Sequence, residues 1–378
     1  PLLGHNDMLF EETIKRVKKD LSTINDVDVV IGIPFYNEGD TLKEVISVAK
    51  ESLESKKRKL IACVGDPAGK EALRLIRQHF TDELVSFLMP PGANGRGNSI
   101  RAILELARFF QSDVVLLEAD LVSQGNCGIK PDWIDRMAKP VFEDYDMSIA
   151  SFVRHPFEDT IGKILVAPLI AALYEMKFSD PLSGVFAISR DAVEEFCSEF
   201  DQNREYLGGY GVNSWLITTA LKLNKKICEV ELGAKLSPVS LGKKYIVYKE
   251  MLKALFECIK RDEDFWLRDS ETIRAPDIFT RGQEDEALEV CCNYKEHLDS
   301  FLEGTYHYEN LLQKILSTEE KRCIEDMTRA YATPGYSPDF WAKIAYKFLL
   351  TDNFCPEISQ EDLLELFLAI YNGMVALL

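Results

Sequence analysis

The feature that most constrains the fold is a repeated alternation of short apolar runs with amphipathic, helix-like segments. Residues 29–34 form an apolar, β-branched run that ends in a proline, and a polar loop and a helical pattern over 41–48 follow it. A second apolar run covers residues 60–64, and a Gly-Asp-Pro sequence ends it. Runs of this kind predict buried strands, and the polar, Gly- and Pro-containing stretches predict loops. The first part of the chain therefore predicts a β-loop-α-β unit.

The same alternation continues further along the chain. Helical patterns over 71–79 and 99–110 alternate with apolar runs over 85–89 and 113–117. Such alternation is typical of a mostly parallel sheet with helices on its faces. We therefore predict the α/β class, with a Rossmann-like, mostly parallel sheet flanked by helices.

The C-terminal third has a different pattern, in which strand-like runs end beyond Gly242. Amphipathic helical patterns follow over residues 248–259, 308–316 and 363–377. The charged stretch 261–289 is interpreted as a solvated linker that contains helices. The sequence thus predicts three parts: an N-terminal helical segment over 1–27, an α/β domain over 28–242 and an α-helical C-terminal domain over 243–378.

Charge restricts the partners that this chain can have. Its 378 residues carry a formal net charge of −18, with a pI near 4.9. This acidity disfavours nucleic acid and anionic membrane surfaces, because both are negatively charged. Apolar stretches such as residues 164–174 are also shorter than the roughly 20 residues that span a bilayer. We expect neither nucleic acid nor a membrane as a partner, and any anionic ligand would need a local cation or metal.

Cysteine usage bears on the compartment. Nine cysteines are scattered without CxxC pairs, and the N-terminus lacks a basic region followed by an apolar run. An odd number of dispersed cysteines favours reduced thiols, and the N-terminal pattern does not predict a secretory signal. We therefore expect a cytoplasmic protein, in which the adjacent Cys291 and Cys292 pack in a helix rather than bind metal.

The most informative segment for chemistry is the end of the apolar run over 113–117. Glu118 and Asp120 follow it, separated by Ala119. Ligands of open α/β sheets bind beyond the carboxyl ends of strands, and residues two apart in an extended segment point to one side. The pair could therefore hold a divalent metal that clamps a diphosphate. A turn or a helix cap explains such a pair equally well.

Three other segments favour a ligand site at the same edge. The loop over residues 33–38 places polar groups and an aromatic side chain at this edge, where a base and ribose could bind. The loop 92–98 combines three glycines with Arg96 ahead of a helix, which suits anionic oxygen through backbone amides, the helix dipole and one cation. The tight turn 180–184 could bring backbone against a bound sugar.

These motifs, in this order, resemble the GT-A glycosyltransferases. Within that group the chain is most similar to the retaining mannosylglycerate synthases and, more distantly, to the glucosyl-3-phosphoglycerate synthases. The resemblance covers residues of about 28–260 and a similar helical tail. It includes Gly95-Arg96-Gly97, Pro131-Asp132-Trp133-Ile134, Val153-Arg154-His155, Pro181-Leu182-Ser183-Gly184 and Gly209-Tyr210-Gly211-Val212-Asn213.

The resemblance implies that residues 28–242 form a nucleotide-sugar-binding catalytic domain. It implies transfer of a hexose, with retention, from a nucleoside diphosphate sugar such as GDP-mannose or UDP-glucose to a small acidic hydroxyl acceptor such as glycerate or 3-phosphoglycerate. The implied donor-binding residues are Pro34, Phe35, Tyr36, Glu38, Asp66, Arg96, Glu118, Ala119 and Asp120. Glu118 and Asp120 would hold Mg²⁺ or Mn²⁺. We expect the catalytic residues to be Asp120, Asn213 and Lys235, of which the last two depart from the family pattern.

The implied acceptor-binding residues are Arg154, Leu182, Ser183 and Gly184. Arg154 would present a guanidinium to the acceptor carboxylate, because its planar, permanently charged fork suits that group. A surface ion pair is the alternative interpretation of Arg154. His155 would orient that site or fill space.

This chain departs from the family pattern at three places. Glu118 replaces the first Asp of the metal motif, and Asn213 replaces an acid. The histidine that supplies a third metal ligand is missing from residues 231–238, where Lys235 stands instead. Because an amide cannot act as a base, we expect front-face displacement, in which a leaving phosphate oxygen takes the acceptor proton. Lys235 could neutralise the diphosphate, and Asn213 could orient the sugar.

Two other functions fit the sequence. The three departures also fit a sugar-nucleotide-binding or regulatory protein without turnover. A nucleotidyltransferase shares the fold, but the 33–40 loop lacks the glycine-rich, arginine-bearing phosphate grip of such enzymes. Aromatic residues of the C-terminal helices could form a homo-oligomer interface or the local core; they are Phe340, Trp341, Tyr346, Phe348 and Phe367.

Overall fold

A computed structural model describes residues 4–53, 57–80, 84–124, 127–235, 241–268, 272–282, 293–329 and 337–377. The strands in these residues are β1 (Val29–Phe35), β2 (Lys59–Gly65), β3 (Val85–Leu88), β4 (Asp113–Leu116), β5 (Ser123–Gln124), β6 (Cys127–Gly128), β7 (Met147–Val153), β8 (Phe186–Ile188), β9 (Ile227–Ala234) and β10 (Asp277–Thr280).

Helices precede, separate and follow these strands. The first nine are α1 (His5–Asp20), α2 (Asp40–Glu51), α3 (Lys70–His79), α4 (Arg96–Phe110), α5 (Pro131–Glu143), α6 (Ala167–Tyr174), α7 (Arg190–Gln202), α8 (Arg204–Leu207) and α9 (Val212–Lys222). A π-helical turn over Gly162–Val166 leads into α6. The others are α10 (Leu241–Arg261), α11 (Glu263–Trp266), α12 (Tyr294–His307), α13 (Glu309–Ile315), α14 (Thr318–Arg329), α15 (Pro338–Phe354) and α16 (Gln360–Leu377).

Eight of the described strands form one sheet, in the order β10-β9-β7-β8-β4-β1-β2-β3. β8 runs antiparallel to β4 and β7, and the other pairings are parallel. The chain steps outward from β1 to β2 and β3, and then returns to place β4 on the other side of β1. Ligand crevices of open α/β sheets lie at such reversals of strand order.

The central strands of the sheet are buried because helices cover apolar side chains on both of its faces. All seven residues of β1 are buried, as expected for a parallel strand that helices cover on both sides. Helices α2, α3 and α5 pack on one face, and α1, α4, α7 and α9 pack on the other. The predicted α/β class, with its mostly parallel sheet, is thus confirmed.

The C-terminal helices pack around α16. They also pack against the side of the sheet domain that α1, α4, α7 and α9 cover. The packing of α12 on α16 is close, because a Cβ at Gly373 would lie 2.7 Å from the Phe301 ring and one at Gly304 would lie 2.4 Å from Ala369 Cβ. Trp341 of α15 donates its indole N–H to the carbonyl of Ile164, at 2.7 Å. Trp341, Phe348 and Phe367 are buried in this core. No helix among the described residues is both long and apolar enough to span a membrane.

Part of the prediction for the C-terminal third is wrong. Strands do not end at Gly242, because β10 pairs in parallel with β9 at the sheet edge. Ile278 in β10 is 45% exposed, so this edge strand lacks the apolar run by which buried strands are found. The stretch interpreted as a linker thus contains β10 as well as α11. Cys291 and Cys292 lie outside the described residues.

Candidate functional site

A cavity of about 380 Å³ lies beyond the carboxyl ends of β1, β2 and β4, where the strand order reverses. All nine residues predicted to bind the donor line it: Pro34, Phe35, Tyr36, Glu38, Asp66, Arg96, Glu118, Ala119 and Asp120. Its other lining residues are Asn94, Gly95, Tyr210, Ile246, Val247 and Glu250. The structure therefore brings together segments that are far apart in the sequence.

A larger cleft of about 600 Å³ lies between α1, α8 and α10. Its charged side chains pair with one another, since Arg204 contacts Asp201 at 2.8 Å and Asp7 at 3.2 Å. None of the predicted site residues lines it. We therefore place the candidate site in the smaller cavity, where the strand ends converge.

Carboxylates hold the loops of the cavity in place. Asp66, which follows β2, accepts hydrogen bonds from the amides of Ala68 (2.8 Å) and Gly95 (2.7 Å), and so ties the β2 loop to the start of α4. Glu38 accepts a hydrogen bond from the amide of Tyr36 at 2.6 Å. Hydrogen bonds to charged acceptors are among the stronger ones in proteins. These bonds stabilise the observed conformation of the loops after β1 and β2.

The N-terminus of α4 does not present its amides to a ligand as the sequence suggested. The amides of Gly97 and Asn98 donate to the carbonyls of Gly209 (3.1 Å) and Gly208 (3.2 Å). A Cβ at Gly97 would lie 1.6 Å from the carbonyl oxygen of Leu207, so the two backbones meet where only glycine fits. The glycines of this loop serve close packing, and the expectation that these two amides hold anionic oxygen is wrong.

Arg96 supplies positive charge to the cavity instead. Its guanidinium donates to the carbonyl of Gly184 at 2.9 Å and lies 3.9 Å from a carboxylate oxygen of Glu118. Only 11% of the Arg96 side chain is exposed. A cation that is held so rigidly loses little conformational entropy when it binds an anion.

Glu118 forms an ion pair with Lys235, the residue that follows β9. The Lys235 ammonium contacts Glu118 Oε2 and donates to the carbonyl of Ser183 at 3.1 Å. Burial by itself would raise the pKa of Glu118, but the Lys235 and Arg96 cations outweigh it and hold that pKa below its ordinary value. Burial and the charge of Glu118 raise the pKa of Asp120, against the same two cations. The two carboxylates therefore have different electrostatic environments.

The donor set of this pair suits a divalent metal that substrate oxygens also coordinate. No group of three His, Cys, Asp or Glu side chains that could hold a metal occurs among the described residues. However, Mg²⁺ is commonly held by one or two carboxylates together with substrate phosphates and water. Glu118 and Asp120 line the cavity and are carboxylates of this kind. Their chemistry fits Mg²⁺ or Mn²⁺ on condition that a ligand supplies the remaining oxygens.

The residues predicted to bind the acceptor lie behind the cavity rather than in its lining. Arg154 donates to Asp180 at 2.7 Å and to Glu158 at 3.2 Å, and 8% of its side chain is exposed. The ion pair of Arg154 is therefore buried, and the interpretation as a surface pair is wrong. Leu182 and Ser183 are buried as well. His155 accepts a hydrogen bond from the amide of Phe157, which gives it a local role.

Asn213 is the second residue of α9. It is 6% exposed, and its Oδ1 has no hydrogen-bond partner among the described residues. A buried acceptor without a partner costs about 1–3 kcal/mol. The residue does not line the cavity, so the structure leaves its predicted catalytic role open to experiment.

The wall that α10 contributes to the cavity was not predicted from the sequence. Ile246, Val247 and Glu250 of this helix line the cavity together with Tyr210. Glu250 accepts a hydrogen bond from the amide of Tyr210 at 3.0 Å. A Cβ at Gly211 would lie 2.1 Å from Ala254 Cβ. The glycines on either side of Tyr210 were the available signal, because paired glycines mark a close helix contact.

Comparisons with known proteins concern the fold. No family model and no curated protein matches the chain. Among solved structures, it is similar to glucosyl-3-phosphoglycerate synthase of Mycobacterium tuberculosis in complex with Mn²⁺, UDP and phosphoglyceric acid, at 16% identity and a TM-score of 0.48, over 65% of this chain and 82% of that one. It is also similar to mannosyl-3-phosphoglycerate synthase of Rubrobacter xylanophilus, at 21% identity and a TM-score of 0.49. That match covers 68% of this chain and 80% of the other.

Proposed function

We propose that this protein is a retaining hexosyltransferase that uses a nucleoside diphosphate sugar. One observation carries the proposal: the nine residues expected to bind such a donor line one cavity, which lies where the strand order reverses. Nucleotides bind at this place in open α/β sheets. The loop from Pro34 to Glu38 would hold the base and ribose. The edge with Arg96, Glu118 and Asp120 would hold the diphosphate.

The charge of the cavity supports a divalent cation as cofactor. Its lining has one guanidinium, that of Arg96, and five carboxylates: Glu38, Asp66, Glu118, Asp120 and Glu250. Such a lining would repel a diphosphate unless a cation accompanied it. Asp120, with Glu118 beside it, would hold Mg²⁺ or Mn²⁺. When bound, the metal would neutralise charge on the leaving diphosphate.

The residues of this chain support a front-face displacement. Arg96 would position the diphosphate and, with Lys235, stabilise the charge that develops as the glycosidic bond breaks. The acceptor hydroxyl would attack from the side of the leaving group and give its proton to a phosphate oxygen. This step requires no enzymic base. Asn213, an amide, would instead donate a hydrogen bond to the sugar and fix its orientation.

We further propose a small acidic acceptor, such as glycerate or 3-phosphoglycerate. The support is the Val153-Arg154-His155 motif, together with the position of Arg154 directly behind the cavity. Glu158 is the more distant of its two partners, at 3.2 Å against 2.7 Å for Asp180. An acceptor carboxylate would therefore take the place of Glu158 on the guanidinium, and Asp180 would keep Arg154 in position.

The experiment is a transfer assay with GDP-mannose or UDP-glucose, Mg²⁺ or Mn²⁺, and glycerate or 3-phosphoglycerate. We expect acceptor-dependent release of the nucleoside diphosphate, and a product that keeps the anomeric configuration of the donor by NMR. Asp120→Ala should lower the rate of release by about 10²–10³, whereas Asp135→Ala should not, because Asp135 accepts a hydrogen bond from the amide of Leu53 outside the cavity lining. An inverted product, or release by Asp120→Ala at the wild-type rate, would contradict the proposal.

A protein that binds the sugar nucleotide without turnover is the second candidate. The observation in its favour is that cations face both carboxylate oxygens of Glu118, at the position where relatives carry a metal ligand. Donor binding with neither transfer nor hydrolysis, across these acceptors and metals, would support it. Release of pyrophosphate from a nucleoside triphosphate and a sugar phosphate would instead indicate a nucleotidyltransferase.

A further inference from the structure

The Lys235 ammonium lies against Glu118 Oε2, where a bound metal ion would otherwise contact this carboxylate. Its side chain is 6% exposed, contacts Glu118 Oε2 and donates to the carbonyl of Ser183 at 3.1 Å. It also lies 5.4 Å from the centre of the Phe152 ring, where a cation is attracted to the π face. Lys235 is therefore held in place by a carboxylate, a carbonyl and an aromatic ring.

The other oxygen of Glu118 is enclosed too. Arg96 Nη1 lies 3.9 Å from Oε1. On the same side, a Cβ at Gly184 would lie 2.1 Å from Oε1, so the backbone of the 180–184 turn packs directly against the carboxylate. A metal at Glu118 would meet two cations at close range, and it would leave a buried ammonium without its counter-ion. Both effects are costly in a partly desolvated site.

We propose that Lys235 is a built-in counter-cation that excludes divalent metal from Glu118 until the donor binds, so that metal enters with the diphosphate and through Asp120. The proposal rests on the function proposed above, but it concerns the order of binding rather than turnover. The donor phosphates would supply the oxygen ligands that the two carboxylates lack. Lys235 would then face the diphosphate as a second fixed positive charge.

The test is Mn²⁺ binding without nucleotide, measured by calorimetry and by the loss of the free Mn²⁺ signal in electron paramagnetic resonance. We expect wild type to bind MnCl₂ weakly, and Lys235→Met to bind it at least about tenfold more tightly. The matched control is Lys225→Met, which also removes one positive charge; Lys225 pairs with Glu195 and Asp146, residues outside the cavity lining. This control should bind like wild type.

A second measurement does not depend on the folding of Lys235→Met. With UDP or GDP present, Asp120→Asn should weaken Mn²⁺ binding more than Glu118→Gln does, because Asp120 and the phosphates hold the ion. Tight Mn²⁺ binding by wild type without nucleotide, and lost in Glu118→Gln, would overturn the proposal. So would a folded Lys235→Met with unchanged or weaker affinity for Mn²⁺.

Failure of the proposed function would look different. If the assay gave no transfer and neither nucleotide bound, the glycosyltransferase proposal would fall, but the comparison of wild type with Lys235→Met in MnCl₂ alone would still be decided. If transfer occurred and Lys235→Met left Mn²⁺ affinity unchanged, only the counter-cation role would fall.

Discussion

Two charged regions lie side by side at the carboxyl edge of the sheet, and they differ in how their charges are compensated. In the cavity, five carboxylates face one guanidinium. In the buried cluster behind it, cations and carboxylates pair directly, as Arg154 does with Asp180 and Glu158. The cavity lining thus carries an excess of negative charge, although Lys235 pairs with Glu118, whereas Arg154 in the cluster is balanced by its two carboxylates. We infer that the cavity binds the donor with its cation, and that the cluster supports the cavity wall and takes an acceptor only where it displaces Glu158 from Arg154.

The largest expected effect tests the supporting role of the cluster. Arg154→Met leaves Asp180 and Glu158 without their cation, and breaking a buried pair in this way costs about 3–5 kcal/mol. We expect a loss of that order in the free energy of unfolding, measured in urea. Arg58→Met should cost far less, because Arg58 is 60% exposed and its pairs with Asp26 and Asp28 lie at the surface, where solvent screens them. Equal losses would contradict the distinction.

The next effect tests the cavity. Asp120→Ala removes a carboxylate from the part of the cavity that would hold the diphosphate. Loss of one preorganised electrostatic group typically lowers kcat by about 10²–10³. We expect a decrease of that order in the transfer rate, with the free energy of unfolding changed little. A rate within a few-fold of wild type would show that Asp120 has no part in the reaction.

A smaller effect tests the wall that α10 contributes. Glu250 fixes the Tyr210 amide, and a hydrogen bond to a charged group contributes about 1.5–3 kcal/mol. We expect Glu250→Ala to weaken donor binding by about tenfold or more by calorimetry. The control is Glu257→Ala on the same helix, which bonds to Gln360 and lines the larger cleft. If both variants bind the donor equally well, α10 only covers the cavity.

The last effect is a pH dependence that arises at Asp159, whose carboxylate interacts with the charges of Arg154 and Asp180. Burial raises the pKa of Asp159 to about 7; Asp180 adds to the rise, and the Arg154, Lys235 and Lys163 cations oppose it. The folded state thus keeps a proton that the unfolded state loses near pH 4. This contribution to stability is complete at low pH and is lost as pH rises to about 7.

Asp159→Asn should remove that part of the pH dependence. We expect the free energy of unfolding of the variant to fall less between pH 5 and pH 8 than that of wild type. An identical pH profile for the two proteins would show that Asp159 titrates normally.

Much of the cavity could be predicted because each of its main loops directly follows a strand that the sequence reveals. A parallel strand that ends in polar residues places them at one sheet edge, so the segments after β1, β2 and β4 were expected to meet. The sheet also followed from short apolar runs, of which β1 is the clearest. The antiparallel direction of β8 and the exposed edge strand β10 leave no comparable pattern.

Contacts between side chains that are far apart in the sequence could not be predicted. Whether Arg154 faces a ligand depends on Asp180, 26 residues away, and the partner of Lys235 lies 117 residues earlier. The α10 wall and the amides of Gly97 and Asn98 depend on backbones that pack together from distant segments. Such contacts are set by tertiary packing, which residue type and spacing do not reveal.

The central claim is that the cavity binds a nucleoside diphosphate sugar. Its most direct test is calorimetric titration of GDP-mannose and UDP-glucose, each with and without Mg²⁺ or Mn²⁺, into wild type and Asp120→Ala. We predict that one donor binds to wild type, more tightly with metal, and that Asp120→Ala weakens this binding. Failure of both donors to bind under every condition, by a folded protein, would contradict the account.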